Sequence, residues 1–389
     1  MSSTSDFKQL PHKLLAIPGP IEVSDEVLFA NAAPVVSHVS PDFVKIFGDA
    51  IRLTREVLFT KQAQPFLISG SGTLGWDQAT NLVEPGENAL VLHTGYFGDS
   101  FSDCLQTYGA EVDVLKAKLG TAVKQAAVEE ALKQKKYKIV TFTHVDTSTG
   151  VLSDAKFITE TVKRISPETL VVADCVCSVG SEEIRFDDWD LDIVLTASQK
   201  GLGTPPGLSI VLASQKAIKV FETRASPVTS YYASWKKWLP IMKAYEAGSP
   251  AYFATPPVNL IQSYLASLKQ MTRAGPSLEE RFRQHREASK RIKDAATELG
   301  LKQIALDPAF AANGMTTLYF PDGLGASDII PRFTQCGVVI AGGLLAEIKD
   351  KYFRIGHMGA SVVDAERDDI DKIIYALQES IREARSQKA

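Results

Sequence analysis

The chain has 389 residues, more than one hydrophobic core usually organises, so two domains are expected. A content of 45% hydrophobic and 23% charged residues is that of a soluble globular protein and not of a disordered one. The net charge of −4 leaves no general basic surface for a polyanion, and no apolar run reaches the roughly 18 residues of a membrane span, so neither nucleic acid nor a membrane is an expected partner.

The start, Met1 to Lys13, is polar and carries neither the apolar stretch of a secretory signal nor the Arg-rich pattern of a transit peptide. The end, Ser386-Gln387-Lys388-Ala389, falls short of the usual peroxisomal tripeptide. A cytoplasmic location is therefore expected. The cysteines stand at 104, 175, 177 and 336; their spacing suits neither a zinc site nor a redox pair, and they read as reduced, buried, small apolar residues.

In chain order, Ile17-Pro18-Gly19-Pro20 is a rigid turn-rich segment. Ser40-Pro41-Asp42 predicts a helix start, with Ser40 as cap and Pro41 in the first turn, running to about Phe59. Short apolar runs then alternate with helical stretches. Pro65 to Ser69, Ala89 to His93, Ile139 to Thr143, Leu170 to Ala173 and Ile193 to Thr196 read as buried strands. Phe101 to Tyr108, Val123 to Lys135 and Phe157 to Ile165 read as helices. This alternation predicts an α/β fold with a mostly parallel sheet sandwiched by helices, whose ligand sits beyond the carboxyl ends of the strands. Ser277 to Glu280 offers a capping box for a long helix ending near Gly300. Met315 to Phe320, Val338 to Ala341 and Tyr352 to Ile355 are strand-like. The organisation expected is an extended segment over 1–20, a large domain over 21–274 and a small α+β domain over 275–389.

Five constellations carry chemistry. Lys200 follows the apolar run Ile193 to Thr196 and precedes Gly201, Gly203 and Gly207. A strand-end lysine in a partly dry cleft can form a Schiff base, although most such lysines are simply solvated. Asp174 ends the run Leu170 to Ala173, 26 residues before Lys200, and would project from the same sheet edge. Ser69 to Gly75 is a small-residue loop suited to a phosphate, and its Gly70, Gly72 and Gly75 also match a dinucleotide fingerprint. A ribose-binding acid about 20 residues on is not evident, which weakens the nicotinamide alternative. Phe97, in Gly95-Tyr96-Phe97-Gly98, could stack on a flat ring or simply fill the core. Arg354, in an apolar strand, needs an anion; a substrate carboxylate and a structural acid serve equally well. The histidines at 12, 38, 93, 144, 285 and 357 show no metal-ligand spacing, and His144 is expected to line or support the site.

The order of these features, with Ser71-Gly72-Thr73-Leu74-Gly75-Trp76-Asp77, Thr196-Ala197-Ser198-Gln199-Lys200 and Tyr252 to Pro257, resembles the alanine–glyoxylate and serine–pyruvate aminotransferases. These are class V, fold-type I enzymes that use pyridoxal 5′-phosphate (PLP), and the likeness to the fungal alanine–glyoxylate members is closest. The resemblance implies a large PLP-binding domain with a mostly parallel seven-stranded sheet. It assigns Lys200 as the Schiff-base lysine and proton shuttle, and Asp174 as the partner of the pyridine nitrogen. Phe97 and Val176 would face the ring, and Ser71, Gly72, Thr73 and Gln199 would hold the phosphate. Many relatives have Trp at the position of Phe97 and His at that of Thr73. Ser148 or Thr147 would reach the phenolic oxygen. Arg354 would clamp the substrate carboxylate, with Gly19 and Ser148 also at the substrate. Tyr252 and Thr255 would reach the neighbouring subunit's phosphate, making the unit a homodimer. The implied reaction is ping-pong amino transfer from L-alanine to glyoxylate, giving pyruvate and glycine. A serine–glyoxylate or serine–pyruvate enzyme is the alternative. A cysteine desulfurase is disfavoured because Cys336 adjoins an apolar strand.

Overall fold

The computed structural model describes residues 7–388. The central sheet has seven strands: β1 (Gln64–Ser69), β2 (Asn88–His93), β3 (Glu111–Lys116), β4 (Ile139–Thr143), β5 (Leu170–Asp174), β6 (Ile193–Ala197) and β7 (Leu208–Ala213). Their order across the sheet is β1-β7-β6-β5-β4-β2-β3. Only β7 runs against the others, pairing antiparallel with both β1 and β6. The loops after β1, β2, β4, β5 and β6 therefore open on one edge, where an α/β sheet binds its ligand. Strands β4 to β7 are buried throughout, as both faces of the sheet are covered, which is why they read as unbroken apolar runs. Two strands escape that reading. β3 lies at the edge with no fully buried residue, and β7 follows the glycine-rich loop after Lys200.

Helix Pro41–Val57 starts as its sequence dictates, with Ser40 Oγ accepting from the Phe43 amide at 3.4 Å. It packs with helices Trp235–Glu246 and Val258–Lys269, while Gln125–Gln134 and Ala155–Ile165 form a second pair. These elements and the sheet share one apolar core.

A second core gathers residues from Ala288 to Ala384 around a three-stranded antiparallel sheet of β8 (Met315–Tyr319), β9 (Ala341–Gly342) and β10 (Tyr352–Gly356), in the order β8-β10-β9. Leu14 and Ala16 belong to this core, because Leu14–Leu15 pairs in parallel with Val338–Val339. The early segment is thus part extended chain and part strand; its first six residues lie outside those described. Helix Leu278–Glu298 bridges the two cores, with Leu278 and Phe282 in the large one and Ala288 onward in the small one. Its cap forms half of the expected box. Ser277 Oγ accepts from the Glu280 amide at 3.2 Å, but the Glu280 carboxylate pairs with Arg283 instead of reaching back. The four cysteines are free; Cys175 and Cys177 are buried, whereas Cys104 and Cys336 are only partly so, lying on amphipathic helix ends. Among the described residues no helix is long and apolar enough to cross a membrane.

Candidate active site

Asp174, Lys200 and the cavity loops are carried to the common sheet edge by the ends of strands. Asp174 is the last residue of β5, and Lys200 lies three residues beyond β6. β1 delivers the loop of Ser71, Gly72 and Thr73; β2 delivers Phe97 in the first turn of helix Tyr96–Thr107; β4 delivers Thr143, Val145 and Thr147. These residues, with Trp76, Val176, Cys177 and Gln199, enclose a cavity of about 210 Å³.

Asp174 is buried at the cavity floor. Its Oδ2 accepts from Trp76 Nε1 at 2.8 Å and its Oδ1 from the Val176 amide at 3.0 Å. Burial pushes its pKa up to about 6, despite the opposing pull of these two donors. Such a carboxylate gains most from a cationic partner placed in the cavity. Lys200 Nζ donates to the Pro18 carbonyl at 2.5 Å, and burial holds its amine below the ordinary lysine value. A Cβ on Gly19 would lie 2.3 Å from Lys200 Cδ, and Gly19 has a φ of +123°, so a glycine is required where the chain crosses over the lysine.

Ser71 and Thr73 stand at the exposed lip, and Thr73 makes no capping bond to the short helix after it, which leaves its hydroxyl available. Gln199 has a buried side-chain Oε1 with no protein partner. Arg354, on β10 of the three-stranded sheet, stands beside the cavity against Thr147 but is not among the residues that line it. Its two hydrogen bonds go to carbonyls, from Nε to Gly342 at 2.7 Å and from Nη1 to Thr147 at 3.3 Å, and among the described residues no acid forms a salt bridge with it. Burial pulls its pKa below the usual arginine value. A guanidinium bonded only to carbonyls retains capacity for an anion.

One sequence expectation lands elsewhere. Ser148 is fully buried and lies outside the cavity lining, its hydroxyl donating to Asp146 Oδ1 at 2.6 Å. Tyr252 and Thr255 face solvent, and Tyr252 is 63% exposed with its ring against His38. His144 points away from the cavity that its neighbours Thr143 and Val145 line, because side chains alternate along an extended chain. It supports the site from behind: its amide donates to the Asp174 carbonyl at 2.8 Å, and burial alone lowers its pKa to about 4, keeping it neutral. Sequence reasoning assigned no role to Trp76, Thr143, Val145 or Cys177. For Trp76 a signal existed, a lone tryptophan one turn past a glycine-rich loop, where its N–H can serve a buried acceptor.

Residues 28–343 match the family of class V aminotransferases. Over 380 residues the chain is 44% identical to alanine–glyoxylate aminotransferase 1 of Saccharomyces cerevisiae, covering 94% of this chain and 97% of that protein. The chain belongs to the class V aminotransferases. Another relative, the L-aspartate–glyoxylate aminotransferase of Paracoccus denitrificans, is 33% identical over 353 residues, 90% of this chain and 87% of its own. The solved alanine–glyoxylate aminotransferase of a Nostoc species superposes with a TM-score of 0.87 at 27% identity, covering 96% of this chain and 97% of that one. Membership in this family removes the dinucleotide reading of Gly70 to Gly75.

Class V aminotransferases depend on pyridoxal phosphate, and the residues present fit it. The buried Asp174 suits a protonated ring nitrogen, Phe97 and Val176 offer flat and apolar walls, and the Ser71 and Thr73 hydroxyls at the small-residue loop are donors that suit a phosphate.

Proposed function

We propose that this aminotransferase moves the amino group of L-alanine to glyoxylate, releasing pyruvate and glycine in two half-reactions, and so serves glycine formation from glyoxylate. The observation that carries the chemistry is the joint placement of a partly desolvated lysine amine and a buried acid on one small cavity. The donor and acceptor follow the 44% identical yeast relative. The bound cofactor supplies the electron sink. Asp174 would keep positive charge on the ring nitrogen, and Lys200 would move the proton from the substrate α-carbon to the cofactor's carbon in the first half-reaction and in the reverse direction, to the α-carbon of the new amino acid, in the second. Arg354 binds the substrate carboxylate and, with Gly19 and Thr147 near it, fixes which bond to the α-carbon faces Lys200. Ser71, Gly72, Thr73 and Gln199 hold the phosphate. Tyr252 and Thr255, exposed in one chain, reach the phosphate of a second copy, so the working unit is a homodimer.

The test is the visible absorbance of purified protein loaded with PLP, recorded after L-alanine and then after glyoxylate. The expected result is a yellow band that bleaches with alanine and returns with glyoxylate. A band that ignores alanine but bleaches with L-serine or L-aspartate would keep the family and change the donor. The band is expected to be absent in Lys200→Ala.

A further inference from the structure

Helix Tyr96–Thr107 begins at Gly95, which has no side chain to cap it. The cap comes from a different element: Ser148 Oγ, in the loop after β4, accepts from the Tyr96 amide at 3.0 Å. Asp146 in turn fixes Ser148. Its Oδ1 accepts from the Ser148 amide at 2.9 Å and from the Ser148 hydroxyl at 2.6 Å, while its carbonyl accepts from the amides of Thr149 at 3.2 Å and Gly150 at 2.7 Å. The helix start is pressed against this pair; a Cβ on Gly95 would sit 2.4 Å from Ser148 Oγ and 2.6 Å from Asp146 Oδ1. Phe97, which lines the cavity, is the next residue but one, so its ring position depends on that contact.

The carbonyls of the same loop face the small domain. The Thr147 carbonyl accepts from Arg354 Nη1 at 3.3 Å, the Ser148 carbonyl from Tyr352 Oη at 2.6 Å, and the Thr149 carbonyl from Thr317 Oγ1 at 2.7 Å. Tyr352 and Arg354 share strand β10, and Thr317 is the register partner of Arg354. One loop therefore grips the helix that carries the aromatic wall with its side chains, and the strand that carries the carboxylate clamp with its backbone. Asp146 is completely buried and, among the described residues, its Oδ2 has no hydrogen-bond partner, a costly arrangement for a carboxylate.

We propose that Asp146 is a positioning residue which, through Ser148 and the loop carbonyls, sets Phe97 against the cofactor and Arg354 against the substrate carboxylate. Ser148 on this account acts by capping the helix. The proposal rests on the aminotransferase reading. It makes cofactor affinity and substrate affinity separable. Ser148→Ala removes the cap alone, so PLP binding to the cofactor-free protein weakens about 5-fold while the amino-acid KM stays unchanged. Asp146→Ala frees the whole loop, so PLP binding weakens and KM rises, each by about 10-fold. Asp146→Asn keeps an acceptor oxygen for both Ser148 donors and restores both values to within about 2-fold of the wild type.

The measurements are PLP titration of the cofactor-free variants, the visible circular dichroism of the loaded proteins, and the KM and kcat for L-alanine. A lower thermal midpoint in Asp146→Ala with unmoved PLP affinity, dichroism and KM would make the residue merely structural and overturn the proposal. Equal damage from Asp146→Asn and Asp146→Ala would also overturn it, since charge and not hydrogen bonding would then be the cause. If Asp146→Ala does not fold, Ser148→Ala decides: unchanged PLP affinity overturns the proposal and a loss confined to PLP affinity supports it. Failure of the wild type to bind PLP would instead overturn the aminotransferase reading and the proposal with it.

Discussion

Asp174 receives hydrogen bonds from Trp76 and Val176, and Lys200 on the same cavity attracts its charge without bonding to it. Its pKa, raised by burial from 3.8 to about 6, has a consequence for the cofactor-free protein. Between roughly pH 4 and 6 the folded chain holds a proton that the unfolded chain has released, so this group's contribution to stability declines as pH rises through that window. The decline levels off near pH 7 at roughly 3 kcal/mol. Cofactor-free Asp174→Asn is thus expected to be more stable than the wild type above pH 6, with the difference vanishing below pH 4. Urea unfolding at pH 4 and pH 7 checks this, and a gap of equal size at both would contradict it. In the loaded protein the same substitution is expected to cost activity, because a neutral amide cannot hold charge on the ring nitrogen. Asp174, Lys200 and Arg354 were legible in the sequence because each interrupts or closes an apolar run, where a charged side chain must have a purpose. The capping of one element by Ser148 from another was not legible, since the two partners are 52 residues apart.

At the level of elements, caps and apolar runs were readable wherever the deciding partners lie within a turn or two. Ser277 and its helix Leu278–Glu298 illustrate the reach and the limit. The hydroxyl caps as its position predicts, while Glu280 is drawn away by Arg283, one turn further along the exposed face. Ser277→Ala is expected to cost about 1 kcal/mol of stability. Glu280→Ala is expected to cost less than about 0.5 kcal/mol, since only an exposed ion pair is lost. Denaturant midpoints of the two variants separate these values; a reversed order would mean that the reciprocal cap forms in solution. Strand β3 was missed because an edge strand with no fully buried residue carries a weak apolar signal, and the apolar run of β7 was not picked out after the glycine-rich turn that reverses its direction.

For the whole molecule, the proposed homodimer makes a prediction that no single chain can satisfy. If each site combines Lys200 of one copy with Tyr252 and Thr255 of the other, then mixing inactive Lys200→Ala with inactive Tyr252→Ala/Thr255→Ala creates heterodimers with one intact site. Activity is expected to reappear after the two are unfolded and refolded together, and sedimentation should give twice the 42.3 kDa chain mass. No recovery from a mixture shown to contain heterodimers would confine each site to one chain. The sequence by itself determined the α/β architecture, the strand ends that bear Lys200 and Asp174, and the family, because strand-length apolar runs and the residues that end them are local properties of the chain. Only the tertiary structure decided that Leu14 and Ala16 join the second core and that Asp146 and Ser148 link Phe97 to Arg354. Those outcomes depend on contacts between residues far apart in the chain, which local pattern does not encode.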